Sequence, residues 1–284
     1  MRLDAATLRQ SVQLALQEDL GAGDITSQAV VDEAALAAGT IVAREPLVLC
    51  GLEVAREVFC QTGAGILFET DAEDGAACEA GAVLAALRGP ARAILAGERT
   101  ALNFLQRMSG IATATRRLVL RVEGSRLQIS DTRKTVPGLR AFDKYAVAVG
   151  GGTNHRAGLF DAYLIKDNHW RLAGGVGIAL RRARAALGGR KAPGIGLEIE
   201  VTSLEEVREA LEAGADALLL DNMDDETLGR AVALTRGRAF LEVSGGISDE
   251  RLPGLAALGV QRVSIGALTH SVRAVDLALE LEAA

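Results

Sequence analysis

The chain has 284 residues, of which 49% are hydrophobic but only 3% aromatic. Its core must therefore be built from Ala, Leu, Val and Ile, and the length fits two modest domains or one large α/β barrel. A formal charge of −6 argues against a nucleic-acid partner, which needs a net basic face to displace counterions.

The N-terminal stretch MRLDAATLRQSVQLALQEDL places Leu8, Val12, Leu16 and Leu20 at helical spacing, which predicts a helix over 4–19. Its acids break any apolar run, so it fits neither a signal peptide nor an anchor. No stretch approaches the roughly 18 apolar residues of a spanning helix. Cys50, Cys60 and Cys78 form no CxxC pair and read as small buried hydrophobes of a reducing compartment. A cytoplasmic location with no membrane partner is expected. Residues 39–88 hold short apolar runs (GTIVARE, LVLCGL, ILFET, AVLAALRG), which predict a few strands with a helix near Val54–Thr62. This is a small α+β domain, sandwich-like, over residues 1–110. From Ala91 to Leu120 the pattern is helical, with Gly110 a candidate break.

Beyond that helix a strand pattern and a helix pattern alternate six times. The strands are LQIS (127–130), AYLIK (162–166), GLEIEV (196–201), ALLLD (217–221), FLEVS (240–244) and RVSIG (262–266). Several intervening helix patterns open on Ser or Asp and end at Gly, as caps require. The alternation implies a parallel sheet covered by helices. Six units fall short of a full eight-stranded barrel, so the expectation is an open or incomplete TIM-like α/β barrel over 111–270. A doubly wound sheet is the alternative.

Parallel α/β sheets gather their chemistry at the carboxyl ends of the strands. In chain order those ends carry Asp131, Arg133 and Lys134; then Lys166, Asp167, Asn168 and His169; then Glu198 and Glu200; then Asp221 and Asn222; then Ser244, Gly245 and Gly246; then Ser264, Ile265 and Gly266. Each has a plain reading as a turn charge, a cap or an ordinary turn. Glu198 and Glu200 share one face of their strand; facing solvent they need no explanation, whereas inside a barrel they would be costly unless functional. All six plain readings holding at one rim is improbable. Nothing like HxxxH or Cys ligation supports a zinc site.

Arg133, Lys134, Arg156 and Lys166, with His155, suit several anionic groups at once. Glycines after the last two strands let backbone N–H groups approach a phosphate. Glu200 and Asp221 are suited to a Mg²⁺-bound ligand, ribose hydroxyls or developing positive charge. No activated nucleophile is evident. A polyanionic sugar phosphate fits this inventory.

DTRKTVPGLR, DKYAVAVGGGTNHRAGL and LIKDNH resemble the signature of the quinolinate phosphoribosyltransferases, the decarboxylating enzymes of pyridine nucleotide synthesis. EDLGAGDIT, GERTALNFLQRMSGIAT, EIEV, LLLDN, EVSGGI and IGALTHS extend the likeness over nearly the whole chain. The resemblance implies a glycosyltransferase (pentosyltransferase) that joins phosphoribosyl pyrophosphate to quinolinate and yields nicotinate mononucleotide, pyrophosphate and CO₂ in NAD biosynthesis. It implies Mg²⁺, with Glu200 and Asp221 as candidate ligands facing the ribose. It assigns the pyridine dicarboxylate to Arg133, His155 and Arg156, with Arg99 arriving from a neighbouring subunit of a dimer or a hexamer built as a trimer of dimers. Lys134 and Lys166 would line the site beside Thr132. Ser244, Gly245, Gly246 and Gly266, with Ser264 and Ile265, would cradle the 5′-phosphate. On this likeness Lys134, Lys166, Glu200 and Asp221 are the expected catalytic set, and a last helix over 271–284 packs on the N-terminal domain. The alternatives are a relative acting on another anionic base, such as a nicotinate phosphoribosyltransferase or the related protein of molybdate operons, and a silent sugar-phosphate binding protein. The NHR and IKDNH stretches favour the quinolinate reading.

Overall fold

Asp4 starts the first helix: its carboxylate accepts the Thr7 N–H at 2.9 Å and caps α1 (Ala5–Leu20), which buries the stripe Leu8, Val12 and Leu16. The fold described is that of residues 3–284 in a computed structural model. Asp24 caps the short α2 (Ile25–Val30) through the Thr26 and Ser27 N–H groups. There follow β1 (Leu36–Ala43), β2 (Leu47–Val48), α3 (Leu52–Thr62), β3 (Leu67–Glu69), β4 (Ala77–Cys78), β5 (Val83–Pro90) and the long α4 (Ala91–Arg121). The helix near Val54–Thr62 is thus present as α3, with α1 lying against it. Of the cysteines, Cys50 is buried as expected, but Cys60 is exposed and Cys78 half-buried. Cys60 sits on the outward side of α3, so that expectation fails there.

Gly110 does not break α4, which runs unbroken for 31 residues. A Cβ at Gly110 would lie 2.4 Å from the Arg273 carbonyl oxygen. The glycine there serves a close backbone approach rather than a helix end.

The remaining elements are α5 (Arg140–Val149), β6 (Gln128–Ser130) before it, then β7 (Tyr163–Ile165), α6 (Asp167–Ala173), α7 (Val176–Leu187), β8 (Leu197–Val201), α8 (Leu204–Glu212), β9 (Ala217–Asp221), α9 (Asp225–Thr235), β10 (Phe240–Ser244), α10 (Leu252–Ala257), β11 (Arg262–Ser264), α11 (Ala267–His270) and β12 (Leu277–Ala283). The C-terminal segment expected as a helix is therefore a strand. LALELEA alternates with period two, and β12 pairs antiparallel with β1, from Ala37↔Ala283 to Ala43↔Leu277. The four-stranded sheet reads β12-β1-β5-β3.

By contact the chain divides into two units. One takes the residues up to 116 with 135–151 and 267–284; the other takes 117–134 and 152–266. The second unit holds a six-stranded sheet ordered β6-β11-β10-β9-β8-β7, with every neighbouring pair parallel. After β6 the strands run in strict reverse of chain order, the cyclic order of a barrel. A doubly wound sheet would place later strands on both sides of the first. Among the described residues no ladder joins β6 to β7, so the barrel is open, as the six-unit count predicts. No described helix is long and apolar enough to cross a membrane.

Residues paired in register point to the same face of a sheet. Glu200 lies across from Leu219, Leu219 from Glu242, Glu242 from Arg262, and Asp221 from Ser244. The charged side chains of successive strands therefore share one face. Glu198 and Glu242 are each 1% exposed and Glu200 8%, so this face is the barrel interior. The solvent-facing reading of the Glu198–Glu200 pair is ruled out.

Candidate active site

The cationic turn after β6 is held from inside. Asp131, fully buried, accepts the Asn154 side-chain amide at 2.6 Å and the His155 N–H at 2.9 Å. A bridge between Ser130 and Thr153 brings the same two segments together. The run DTRK and the run TNHR are thus clamped side by side at one end of the sheet. Thr132 accepts the Lys134 N–H at 3.0 Å, tightening the turn that carries Arg133 and Lys134. Arg140 donates from Nε to the Thr135 hydroxyl at 3.0 Å, which gives that arginine a place in stiffening the TVPGLR segment.

Arg156 stands near Arg133. Burial, and then the charge of Arg133, weaken the hold of its guanidinium on its proton. Two partly buried guanidiniums at such a point form a site prepared for an anion. Lys166, just before α6, donates from Nζ to Glu200 Oε2 at 2.6 Å, and its own N–H goes to His169 Nδ1 at 2.8 Å. The single tryptophan, Trp170, donates from its indole to the Glu200 carbonyl at 3.2 Å. Glu200 is therefore fixed at both backbone and side chain.

Asp221 accepts from the Ser244 hydroxyl at 2.5 Å and the Asn222 amide at 2.6 Å. Gly245, at φ +91, follows Ser244, and a Cβ there would lie 2.1 Å from Asn222 Oδ1. This glycine is required both by its backbone and by the close approach of Asn222. Gly246, at φ +57, faces open space. Of Ser264 and Ile265, the Ser264 hydroxyl is given to Glu242 in the interior, and the Ile265 N–H to the Ser130 carbonyl at 2.9 Å. Both groups hold the sheet. Arg99 lies on α4 in the other unit, exposed and 3.9 Å from Glu98.

Three members of the interior were not among the candidates: Asp131 as an anchor, Glu242 and Arg262. His155 Nε2 lies 3.4 Å from both Glu198 Oε2 and Glu242 Oε1, and Arg262 pairs with Glu242 at 3.2 Å. Burial lowers the pKa of the imidazole, but the hydrogen bonds it donates to the Glu198 and Glu242 carboxylates outweigh it and carry it up to about 9. Burial raises Glu198; at Glu242 it acts the same way, but His155, Ser264 and Arg262 prevail and lower it. His155 Nδ1 accepts the Arg156 N–H at 2.7 Å, which favours the neutral ring. In either state of charge Nε2 keeps its proton. With the ring neutral, its Nε2–H faces the two carboxylates and its Nδ1 holds the Arg156 N–H.

As a whole the rim offers cations for carboxylates and phosphates, acids for a ribose or its positive charge, and a glycine turn. The carboxylate oxygens of Glu200 and Asp221 are hard donors with lone pairs left over, which suits Mg²⁺.

Two family profiles match in sequence: "Quinolinate phosphoribosyl transferase, N-terminal domain" over residues 24–109 and the corresponding C-terminal domain over residues 111–280. A nicotinate-nucleotide pyrophosphorylase [carboxylating] of Mycobacterium leprae is 46% identical, over 98% of each chain. A probable nicotinate-nucleotide pyrophosphorylase [carboxylating] of Bacillus subtilis is 41% identical, over 93% of this chain and 90% of that one. The solved nicotinate-nucleotide pyrophosphorylase of Francisella tularensis superposes with a TM-score of 0.92 at 40% identity, covering 99% of this chain and 98% of that one. With both profiles matched in order and the barrel open as described, the chain belongs to the quinolinate phosphoribosyltransferase family of enzymes.

Proposed function

We propose that the protein transfers the phosphoribosyl group of phosphoribosyl pyrophosphate to quinolinate and releases CO₂, giving nicotinate mononucleotide and pyrophosphate. The observation that carries this reading is the clamp of Asp131 on Asn154 and His155, which brings the segments of Arg133 and Arg156 together at the same strand ends as Glu200 and Asp221. Two guanidiniums match two ring carboxylates, and the acids suit a ribose that becomes positive as its leaving group departs.

The ring nitrogen attacks C1 of the ribose while the C1–O bond to pyrophosphate breaks, its electrons leaving with the oxygen. Glu200, held by Lys166, and Asp221, held by Ser244, favour the oxocarbenium character of that state. The quaternary nitrogen then draws electrons from the adjacent C–CO₂ bond. CO₂ departs, the electron pair stays on the ring carbon and takes up a proton. Arg133 and Arg156 orient the base throughout, so the protein acts by placement and charge. Glu200 and Asp221 are the residues that would hold Mg²⁺, which when bound neutralises the pyrophosphate.

The test is incubation of the purified protein with phosphoribosyl pyrophosphate, Mg²⁺ and either quinolinate or nicotinate. The account expects nucleotide from quinolinate alone; nucleotide from nicotinate alone would overturn it. Arg99 is proposed to complete the site of a second copy in a dimer or trimer of dimers. Mixing Arg99→Ala and Lys166→Ala chains should restore part of the activity, and confirmed mixed dimers without recovery would refute a shared site. A cytoplasmic setting is proposed because the exposed thiol of Cys60 persists where disulfides do not form; recovery from cells with Cys60 oxidised would contradict it.

A further inference from the structure

The interior cluster around His155 is more elaborate than a sheet filling requires. Glu198 comes from β8, Glu242 from β10, and Arg262 and Ser264 from β11. Asp131 reaches the same segment from the end of β6 through the His155 N–H, and Arg133 and Arg156 stand on the rim above. The His155 side chain is 9% exposed, and Glu198 and Glu242 are 2% and 1%. Among the described residues Glu198 Oε1 has no hydrogen-bond partner. Buried charges replaced by apolar groups of the same volume often leave a protein as stable or more so, and a bare buried carboxylate oxygen is a penalty. Stability does not account for the arrangement, whereas orientation does.

His155 Nε2 with one oxygen each from Glu198 and Glu242 also lies within the 4.8 Å spacing of a metal site. The rest of the cluster disfavours an ion. Metal on Nε2 would put the ring proton on Nδ1, where it would face the Arg156 N–H at 2.7 Å. Glu242 moreover already has Arg262 at 3.2 Å and the Ser264 hydroxyl. With its one proton on Nε2, the neutral ring instead matches all three of these contacts: the two carboxylates at Nε2 and the Arg156 N–H at Nδ1.

We propose that Glu198 and Glu242 are positioning residues: they grip the Nε2–H of His155, the ring's other nitrogen holds the backbone of Arg156, and the guanidinium of Arg156 is thereby aimed at the base. The inference deepens the function proposed above and rests on it for the role of Arg156 alone.

The experiment joins NMR to kinetics on the intact enzyme. The chain has three histidines, so ¹⁵N–¹H correlations resolve each ring. His155 should show a protonated Nε2 and no change on adding Zn²⁺ or a chelator. Glu198→Leu should raise KM for quinolinate about tenfold or more, with kcat and KM for phosphoribosyl pyrophosphate within about twofold. Glu198→Gln keeps an acceptor for the Nε2–H and should restore most of the loss. A bare Nε2 in the wild type, a ring signal that follows Zn²⁺, or a folded Glu198→Leu enzyme with unchanged KM would each overturn the proposal. Should Glu198→Leu fail to fold, Glu242→Gln with the ring spectrum decides in its place: Nε2 still protonated and KM near wild type supports the grip, and a proton moved to Nδ1 at unchanged KM refutes it. An enzyme inert toward quinolinate would defeat the functional reading while leaving the ring spectrum to test the grip.

Discussion

Replacing Asp131 tests whether one buried carboxylate holds the cationic rim together. It is fully buried, and among the hydrogen bonds it accepts are those from the Asn154 amide at 2.6 Å and the His155 N–H at 2.9 Å. Hydrogen bonds to a charged group contribute about 1.5–3 kcal/mol each, so Asp131→Ala should destabilise the second unit by about 3–6 kcal/mol. Asp131→Asn keeps an oxygen for the His155 N–H and loses the charge, so about half of that effect is expected. Trp170 is the only tryptophan and bonds to Glu200 within the same unit, so its fluorescence in urea reports the change. A misplacement near 1 Å at a reacting group costs about 100-fold in rate, and kcat/KM of Asp131→Ala should fall by about that factor. A stability change under about 0.5 kcal/mol with kcat/KM within about twofold would refute the clamp.

Three further expectations follow from the rim and the caps. Gly245→Ala combines φ +91 with a Cβ 2.1 Å from Asn222 Oδ1; strain of about 1–3 kcal/mol should raise KM for phosphoribosyl pyrophosphate, whereas Gly246→Ala, facing open space, should do less. Equal effects of the two would refute the cradle geometry. Arg133→Ala should raise KM for quinolinate by the equivalent of about 2–4 kcal/mol, and unchanged kinetics would make Arg133 a surface charge. Asp24 is held below the usual carboxylate range by the Ser27 hydroxyl and the Ser27 and Thr26 N–H groups. A lowered folded-state pKa gives stability that is present above the unfolded value and lost as pH falls through the folded one. The gap in urea midpoint between wild type and Asp24→Ala should therefore close in acid, and a gap that persists there would contradict the cap.

What the sequence revealed and what it hid follow from the range of the interactions. The six parallel strands and the rim were legible because period-two runs such as LEIEV end at polar residues, a local pattern. Glu200, Lys166, Asp221 and Ser244 meet across neighbouring strand ends as that pattern implies. Asp131 as an anchor was not legible, since its partners lie 23 and 24 residues further on. Glu242 and Arg262 alternate inward within FLEVS and RVSIG, but a charge amid apolar residues has no visible partner until β10 and β11 are paired. Gly110 reads as a breaker in isolation, and only the Arg273 carbonyl beside it explains why α4 continues. The last segment is expected as a helix from the likeness alone; its Leu and Glu also favour helices, but the open edge of β1 supplies the pairing that overrides that preference.

Quinolinate carrying label in the carboxylate next to the ring nitrogen tests the central claim most directly. With phosphoribosyl pyrophosphate and Mg²⁺, the account predicts labelled CO₂ released one for one with nicotinate mononucleotide, and none when phosphoribosyl pyrophosphate is withheld. Nucleotide that retains the label, or CO₂ released without phosphoribosyl pyrophosphate, would contradict it.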